Sequence, residues 1–344
     1  MTERAARRIA RVPAAAKISA GRVTAGMVAL MSFPSLMPWH RCSVTRSAWS
    51  RLRLRSWLCV MVAIASCTRG APAPARKSSE PSAVLAKAAA ERIVAVGDLH
   101  GDLQVARRVL RLAGALDASD HWAGGKLTVV QTGDTLDRGD EDRAVIDLLE
   151  RLRSEAAQAG GKLIVLSGNH EIMNVAGDLR YVSPTSAAAF EQGRAAAFAP
   201  AGTYARVLAD WPVIAQVGRT VFVHGGVLHE HVRYGIDAIN RETSAWMRGE
   251  APAPAVIMRE DAPVWTRLYS AEPDAAACAQ LRQVLAALGA DRMVVGHTPQ
   301  SHGISAACGS QVWRIDTGLS HFYGGPLQLL EIESGQARVR GDAS

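Results

Sequence analysis

The residues able to do chemistry fall into five short blocks. These are Gly97-Asp98-Leu99-His100-Gly101, Gly133-Asp134-Thr135-Leu136-Asp137-Arg138-Gly139, Gly168-Asn169-His170-Glu171, His224-Gly225-Gly226 and Gly296-His297-Thr298. Asp98 and Asp134 supply carboxylates, Asn169 an amide, and His100, His224 and His297 imidazoles. Such oxygen and nitrogen donors, with no thiolate among them, suit divalent first-row metals. They are enough to hold two ions. Two adjacent divalent metals clamping an oxyanion are the usual solution to phosphate-ester hydrolysis. The competing reading is plain turn chemistry, since Asp and Asn are common in turns.

Each block follows a short apolar run that reads as a buried strand. Arg92 to Val96, Lys126 to Gln131 and Lys162 to Leu166 precede the first three. Arg219 to Val223 and Arg292 to Val295 precede the last two. Nearly continuous apolar runs are expected where both sheet faces are covered. Leu103 to Leu116 reads as a helix, with Leu103, Ala106, Val109, Leu110 and Ala113 on one face. Asp142 to Ala159 is a second helix, carrying Val145, Ile146, Leu149 and Leu152 inward and ended by Gly160-Gly161. This βαβαβ order predicts a parallel sheet. In open α/β sheets ligands bind beyond the carboxyl ends of the strands, where the blocks would converge. Tyr181 to Pro212 reads as a helical insertion beside that edge, and Cys278 to Leu288 as a helix. Val312 to Ile315, Leu327 to Ile332 and Ala337 to Arg340 read as strands, from which we expect a second, partly antiparallel sheet.

The ordered motifs GDLHG, GDTLDRG, GNHE, HGG and GHT resemble the calcineurin-like metallophosphoesterases, in their phosphoprotein phosphatase branch. GNHEIMNVAGDLRY from Gly168 and DTGLSHFYGGPL from Asp316 are similar to the Shewanella-like phosphatases of that branch. The resemblance spans about Ile93 to Ile332. It implies an α/β architecture of two mixed β-sheets packed as a sandwich and flanked by helices. It also implies a metal-dependent phosphomonoesterase of phosphoproteins (Ser/Thr or Tyr) or small phosphate esters, with manganese, iron or zinc as the two divalent ions. Carried over by position, Asp98 and His100 would bind the first ion and Asp134 would bridge. Asn169, His224 and His297 would complete the second. A hydroxide held between the ions would attack phosphorus in line. His170 would protonate the leaving oxygen, oriented by Asp137. Arg138, and Asn169 again, would hold phosphate oxygens, the guanidinium fork matching their geometry. Arg267 is the candidate second phosphate arginine, and Tyr323 a candidate lining residue, although packing is its simpler role. The late loop GLSHFYGG departs from the eukaryotic serine/threonine pattern, which leaves the phosphoresidue preference open. His121, His229, His231, His302 and His321 read as surface or capping residues, and Trp246 and Trp265 as core or cleft wall. The rival functions are a dinucleoside polyphosphate hydrolase of the same fold and a metal-binding lipoprotein without turnover.

The 344 residues carry a formal charge of +7. Residues 1–66 hold 11 basic and one acidic residue, a net of +10, which leaves the remainder at −3. The basic excess is therefore confined to one segment and argues against a nucleic-acid partner. Arg51, Arg53 and Arg55 precede the apolar run Trp57 to Ser66, too short to span a bilayer as a helix. It ends in Ile64-Ala65-Ser66-Cys67, which resembles the lipobox of bacterial lipoproteins, with Cys67 as the lipidated residue. A plain signal peptide with an incidental Cys is the alternative. We read residues 1–66 as a signal segment, with translation starting at Met37 and residues 1–36 upstream of it. Residues 67–91 form a lipidated tether rich in Ala, Pro, Ser and Lys, and 92–340 the catalytic domain. The expected location is the bacterial cell envelope, lipid-anchored on the periplasmic or outer-membrane side. Of five cysteines, Cys278 and Cys308 then remain in an oxidising compartment, either as a disulfide or as two buried thiols.

Overall fold

The structure is a computed structural model that describes residues 92–341. The signal segment, Cys67 and the tether lie outside the described residues. The first half follows the predicted alternation: β1 (Arg92–Val96), α1 (Leu103–Leu112), β2 (Thr128–Gln131), α2 (Asp142–Gln158) and β3 (Lys162–Val165). β1 pairs with β2, and β2 with β3, in parallel register. Helix α1 stops four residues short of the expected end. Gly114 takes the left-handed conformation (φ 73°), and Ala115 N–H bonds back to the Leu110 carbonyl at 2.9 Å. That is a Schellman-type stop, which a glycine makes without Cβ strain.

The middle contains α3 (Asn169–Val175) and three short helices of the insertion: α4 (Pro184–Ala188), α5 (Arg194–Phe198) and α6 (Thr203–Leu208). Then come β4 (Ile214–Val217), β5 (Thr220–Val223), α7 (His229–Tyr234), α8 (Ile236–Met247), α9 (Ala275–Leu288) and β6 (Arg292–Val295). The chain closes with β7 (Ser305–Ala307), β8 (Val312–Arg314), β9 (Gln328–Glu333) and β10 (Gln336–Gly341). The sheet orders are β10-β9-β1-β2-β3 and β4-β5-β6-β8-β7.

This corrects the expectation that the C-terminal strands build the second sheet. Only β8 does. β9 returns to the free edge of β1, antiparallel, with Ile93 opposite Ile332. The reason is burial. Ile93, Ala95, Val130, Phe222, Val294, Leu330 and Ile332 form one apolar cluster, drawn from both sheets. Their strand neighbours Val94, Val96, Val129, Val221, Val223 and Val295 belong to the other cluster, which includes Val109 and Leu110 of α1, Val145 and Leu149 of α2, and Leu281 and Leu285 of α9. Successive strand residues thus serve opposite faces. The result is a four-layer α/β/β/α sandwich in which β9 completes the interior.

The helix α9 is tied to the loop after β7 by a Cys278–Cys308 disulfide, with Cα atoms 5.2 Å apart. Of the two readings of these cysteines, the structure has the bridge.

Candidate metal centre

All five blocks emerge at the carboxyl ends of parallel strands, after β1, β2, β3, β5 and β6. The loops are locked to one another through the backbone. Leu99 and His100 N–H both bond to the Asp134 carbonyl at 3.0 Å, and Gly101 N–H bonds to the Thr135 carbonyl at 2.7 Å. Such crossing demands glycine at close approaches: a Cβ on Gly168 would lie 2.3 Å from Asp134 Oδ1. His100, Asp134, Asp137, Arg138 and His297 all have φ between 47° and 70°, half of the ten non-glycine residues with positive φ among those described. Each costs of order 1–3 kcal/mol and persists only where surroundings over-determine it.

Hydrogen bonds settle which imidazole nitrogens carry lone pairs. His224 Nδ1 faces the Thr132 carbonyl at 2.9 Å, and a carbonyl only accepts, so the proton is on Nδ1. His224 Nε2 is then an acceptor. It lies 3.0 Å from Asn169 Oδ1, 3.1 Å from His297 Nδ1 and 3.2 Å from Asp134 Oδ2. His297 Nε2 faces the Trp265 carbonyl at 3.0 Å, which leaves a lone pair on its Nδ1 as well. With His224 neutral, two imidazole lone pairs, an amide oxygen and a carboxylate oxygen converge on one point. Either a proton on His224 Nε2 or a bound cation satisfies that arrangement, and the mixed nitrogen and oxygen donors fit a divalent metal.

A second group shares Asp134. His100 Nδ1 gives its proton to the Leu136 carbonyl at 3.1 Å, which points the Nε2 lone pair toward Asp134 Oδ2, 4.0 Å away. His170 Nε2 lies 3.8 Å from the same oxygen. Donor atoms of His100, Asp134 and His170 lie within 4.8 Å of one another, as do those of Asp134, His224 and His297.

The titration pattern follows from this crowding. Burial, helped by the neighbouring His170 and Arg138, pushes His100 down to about 4, and burial with His224 beside it pushes His297 down to about 3. Burial opposes charge on His170 and His224 most strongly, but Asp134 together with Asp137 and Glu171 at His170, and with Glu171 and the Thr132 carbonyl at His224, outweighs it and raises both. Asp134 is held well below the usual carboxylate range: the surrounding imidazoles overcome its desolvation.

One family model fits residues 91–301, that of the calcineurin-like phosphoesterases. The chain belongs to this family. It is 38% identical to Shewanella-like protein phosphatase 2 of Arabidopsis thaliana over 67% of this chain and 72% of that protein. It is 30% identical to Shewanella-like protein phosphatase 1 of Plasmodium berghei, over 68% and 69%. Among solved structures, the cold-active protein-tyrosine phosphatase of a psychrophilic Shewanella species superposes with a TM-score of 0.65 at 25% identity, covering 72% of this chain and 77% of that one. This phosphoesterase is thus an enzyme of the phosphatase type, and its family works with divalent metal ions.

Most of the residues expected at the site of this phosphoesterase come together. Asp98 is buried beside them, with Oδ1 4.0 Å from His224 Nδ1, and its carboxylate accepts the His297 N–H at 3.1 Å. Burial and the charges of Asp316 and Asp134 push its carboxyl well above the usual range. Arg138 stands at the rim with its guanidinium 4.6 Å from the Tyr181 ring, 5.3 Å from Phe322 and 5.4 Å from Tyr323. The Tyr323 ring is 5.3 Å from that of His100. Arg267 donates to the His297 carbonyl at 3.2 Å and to Thr298 Oγ1 at 3.1 Å, which places it on the opposite rim. His170 Nδ1 donates to Asp137 Oδ2 at 2.7 Å, both side chains buried.

Four contributors escaped the sequence reading. Glu171 is fully buried and accepts the N–H groups of Asp134, Thr135, Leu136 and Gly168 at 2.7–3.2 Å. Its place three residues after Gly168 is the spacing of a helix capping box, which was the available signal. Asp316, pushed up to about 6 by burial, lies beside Asp98. Asn174 and Arg194 bond to Asp137 at 2.8–3.1 Å, and no spacing foretells Arg194, 57 residues away.

Proposed function

We propose that this enzyme is a metal-dependent phosphomonoesterase of phosphoproteins, anchored by lipid in a bacterial cell envelope. The observation that carries it is the set of nitrogen and oxygen donors converging around His224 Nε2, beside a buried His170–Asp137 pair. Asp98, His100 and Asp134 would hold one ion; Asp134, Asn169, His224 and His297 the other. Mixed oxygen and imidazole donors suit manganese, with iron or zinc as competitors. When bound, the ions activate water and neutralise phosphate charge.

The chain's own residues do the rest. Asp137 fixes His170 with its proton on Nδ1, so Nε2 faces the centre. The Asp134 and Asp137 carboxylates raise the pKa of His170, which favours a proton on Nε2 as well, ready for the leaving oxygen. Arg138 is suited to phosphate oxygens: its Nε is buried without an acceptor among protein atoms. Arg267 would steady the group from the other rim.

Three aromatic rings beside Arg138 support an aryl ester, that is phosphotyrosine, over phosphoserine. Two of the Shewanella-like relatives are named only as protein phosphatases, whereas the Shewanella structure is named as a tyrosine phosphatase. The Cys278–Cys308 disulfide supports export, because disulfides persist in oxidising compartments.

The purified protein with manganese should hydrolyse 4-nitrophenyl phosphate, and Asp134→Asn should lose about 10²-fold or more. Wild-type turnover no better than the variant's would refute the reading. In a panel of phosphopeptides and dinucleoside polyphosphates, phosphotyrosine peptides should lead. Phe322→Ala should cut the lead over phosphoserine about 2- to 10-fold, the worth of one aromatic contact. Better turnover of phosphoserine or of a dinucleotide would overturn the substrate assignment. Cys67→Ser should release the protein from the membrane fraction; unchanged partitioning defeats the anchor.

A further inference from the structure

We propose that Arg194, the first residue of α5 in the helical insertion, is the positioning residue for the His170–Asp137 pair. The proposal rests on His170 being the proton donor. Arg194 is 4% exposed, and the carboxylates of Asp137 and Asp142 are fully buried. Its guanidinium divides its donors among three elements. Nη2 bonds to Asp137 Oδ1 at 2.8 Å. Nη1 bonds to Asp142 Oδ2 at 2.5 Å and to Ser186 Oγ at 2.8 Å. Nε bonds to Asn174 Oδ1 at 2.8 Å. The guanidinium lies against Phe190 and Phe198, 5.3 and 4.9 Å from ring centres that are themselves 5.1 Å apart.

Each of those bonds reaches the pair. Asn174, held by Arg194 through its oxygen, turns its amide nitrogen to Asp137 Oδ1 and Oδ2 at 3.0 and 3.1 Å and to the His170 carbonyl at 2.9 Å. Asp142 accepts the Asp137 N–H on Oδ1 at 3.0 Å, at a residue whose φ is 69°. Arg194 thereby fixes Asp137 from both ends. It takes Oδ1 directly, leaving Oδ2 as the oxygen presented to His170 Nδ1. It also steadies, through Asp142, the strained backbone that carries the side chain. A rigid two-pronged donor does this where a lysine point charge would not. The insertion is thus part of the proton-delivery apparatus. When the phosphorus–oxygen bond breaks, its electron pair goes to the leaving oxygen, which takes the proton from His170 Nε2. That transfer needs the ring held in one orientation, because small displacements of positioned groups are costly.

The test is a comparison of leaving groups on the metal-loaded protein. 4-Nitrophenoxide leaves without much help, whereas phenoxide needs the proton. Arg194→Gln should lower kcat on phenyl phosphate about 10- to 100-fold more than on 4-nitrophenyl phosphate, with KM little changed. Arg194→Lys should fall between Gln and wild type, and it stands in if Gln fails to fold. In an Asp137→Asn background, Arg194→Gln should change the ratio less than about 3-fold, because a residue acting through Asp137 has nothing left to position. Equal losses on both substrates, or full additivity with Asp137→Asn, would make Arg194 a fold-holding residue only. His170→Asn separates the two levels. If it too leaves the ratio at the wild-type value, the donor assignment fails; if it shifts the ratio while both Arg194 variants do not, this inference alone fails. A second readout needs no metal or substrate. Ring ¹⁵N shifts, read at a pH where the imidazole is neutral, should show His170 as the Nδ1–H tautomer in metal-free wild type and as a mixture in Arg194→Gln; unchanged populations would also overturn it.

Discussion

Glu171 shows how one side chain can organise a site that it never enters. Its carboxylate gathers four backbone N–H groups from two loops and so ties Asp134 to the start of α3. Burial and the neighbouring Asp134 charge push its pKa up to about 7, so the four donors are what make an ion tolerable there. Glu171→Gln keeps the shape but turns an amide NH2 toward groups that can only donate. We expect a loss of about 2–4 kcal/mol in urea unfolding, with weakened manganese binding by titration calorimetry. A loss under about 1 kcal/mol would show that the loops hold without it. The positive φ values at Asp134, Asp137 and Arg138 are the strain that such bonding must offset.

At the scale of elements, the caps decide where helices begin and end. His231 serves α7 in this way: its Nδ1 accepts the Leu228 N–H at 3.0 Å, and the ring is 1% exposed. Burial, helped by Arg259, lowers its pKa from 6.5 to about 4. Folded His231 therefore stays neutral while the unfolded chain takes up a proton below pH 6.5. Its contribution is present above that pH and is lost as pH falls toward 4. Between pH 7.5 and 5 this amounts to about 2 kcal/mol. His231→Asn keeps an acceptor that cannot titrate, so its urea stability should fall less over that interval, by about the same amount. Parallel curves for the two proteins would mean that His231 is protonated in the fold. The read of His231 as a capping residue is thus met by the structure, although it is buried and not on the surface.

At the scale of the molecule, the chain must bring residues hundreds of positions apart to one edge. The antiparallel return of β9 to β1 and the pairing of β6 with β8 do this without long loops. The Cys278–Cys308 bridge adds a covalent tie across 30 residues. By loop-closure entropy it is worth about 3–4 kcal/mol. A Cys278→Ala/Cys308→Ala protein should lose about that in urea, while its phosphatase activity at 25 °C stays near wild type, since the bridge joins α9 to the loop after β7 and neither carries a residue of the five blocks. Activity falling in step with bridge reduction would instead link the bridge to the site.

The sequence by itself determined the chemistry and its order along the chain. The first three blocks had to follow a strand because an apolar run ending in Gly-Asp or Gly-Asn is both a strand end and a turn, and in the last two a glycine beside the histidine after an apolar run marks the same stop; these are local properties. It determined the parallel half-sheet for the same reason: periodicity and glycine stops act over a few residues. Only the tertiary structure decided that β9 and β10 join the first sheet, since the apolar pattern of β9 fits either sheet edge and burial against Phe222 and Val294 selects one. It alone bound Asp98 to the His297 backbone and brought Arg194 to Asp137. Those placements depend on hydrogen bonds and charge pairing between distant segments, which leave no spacing in the chain to read.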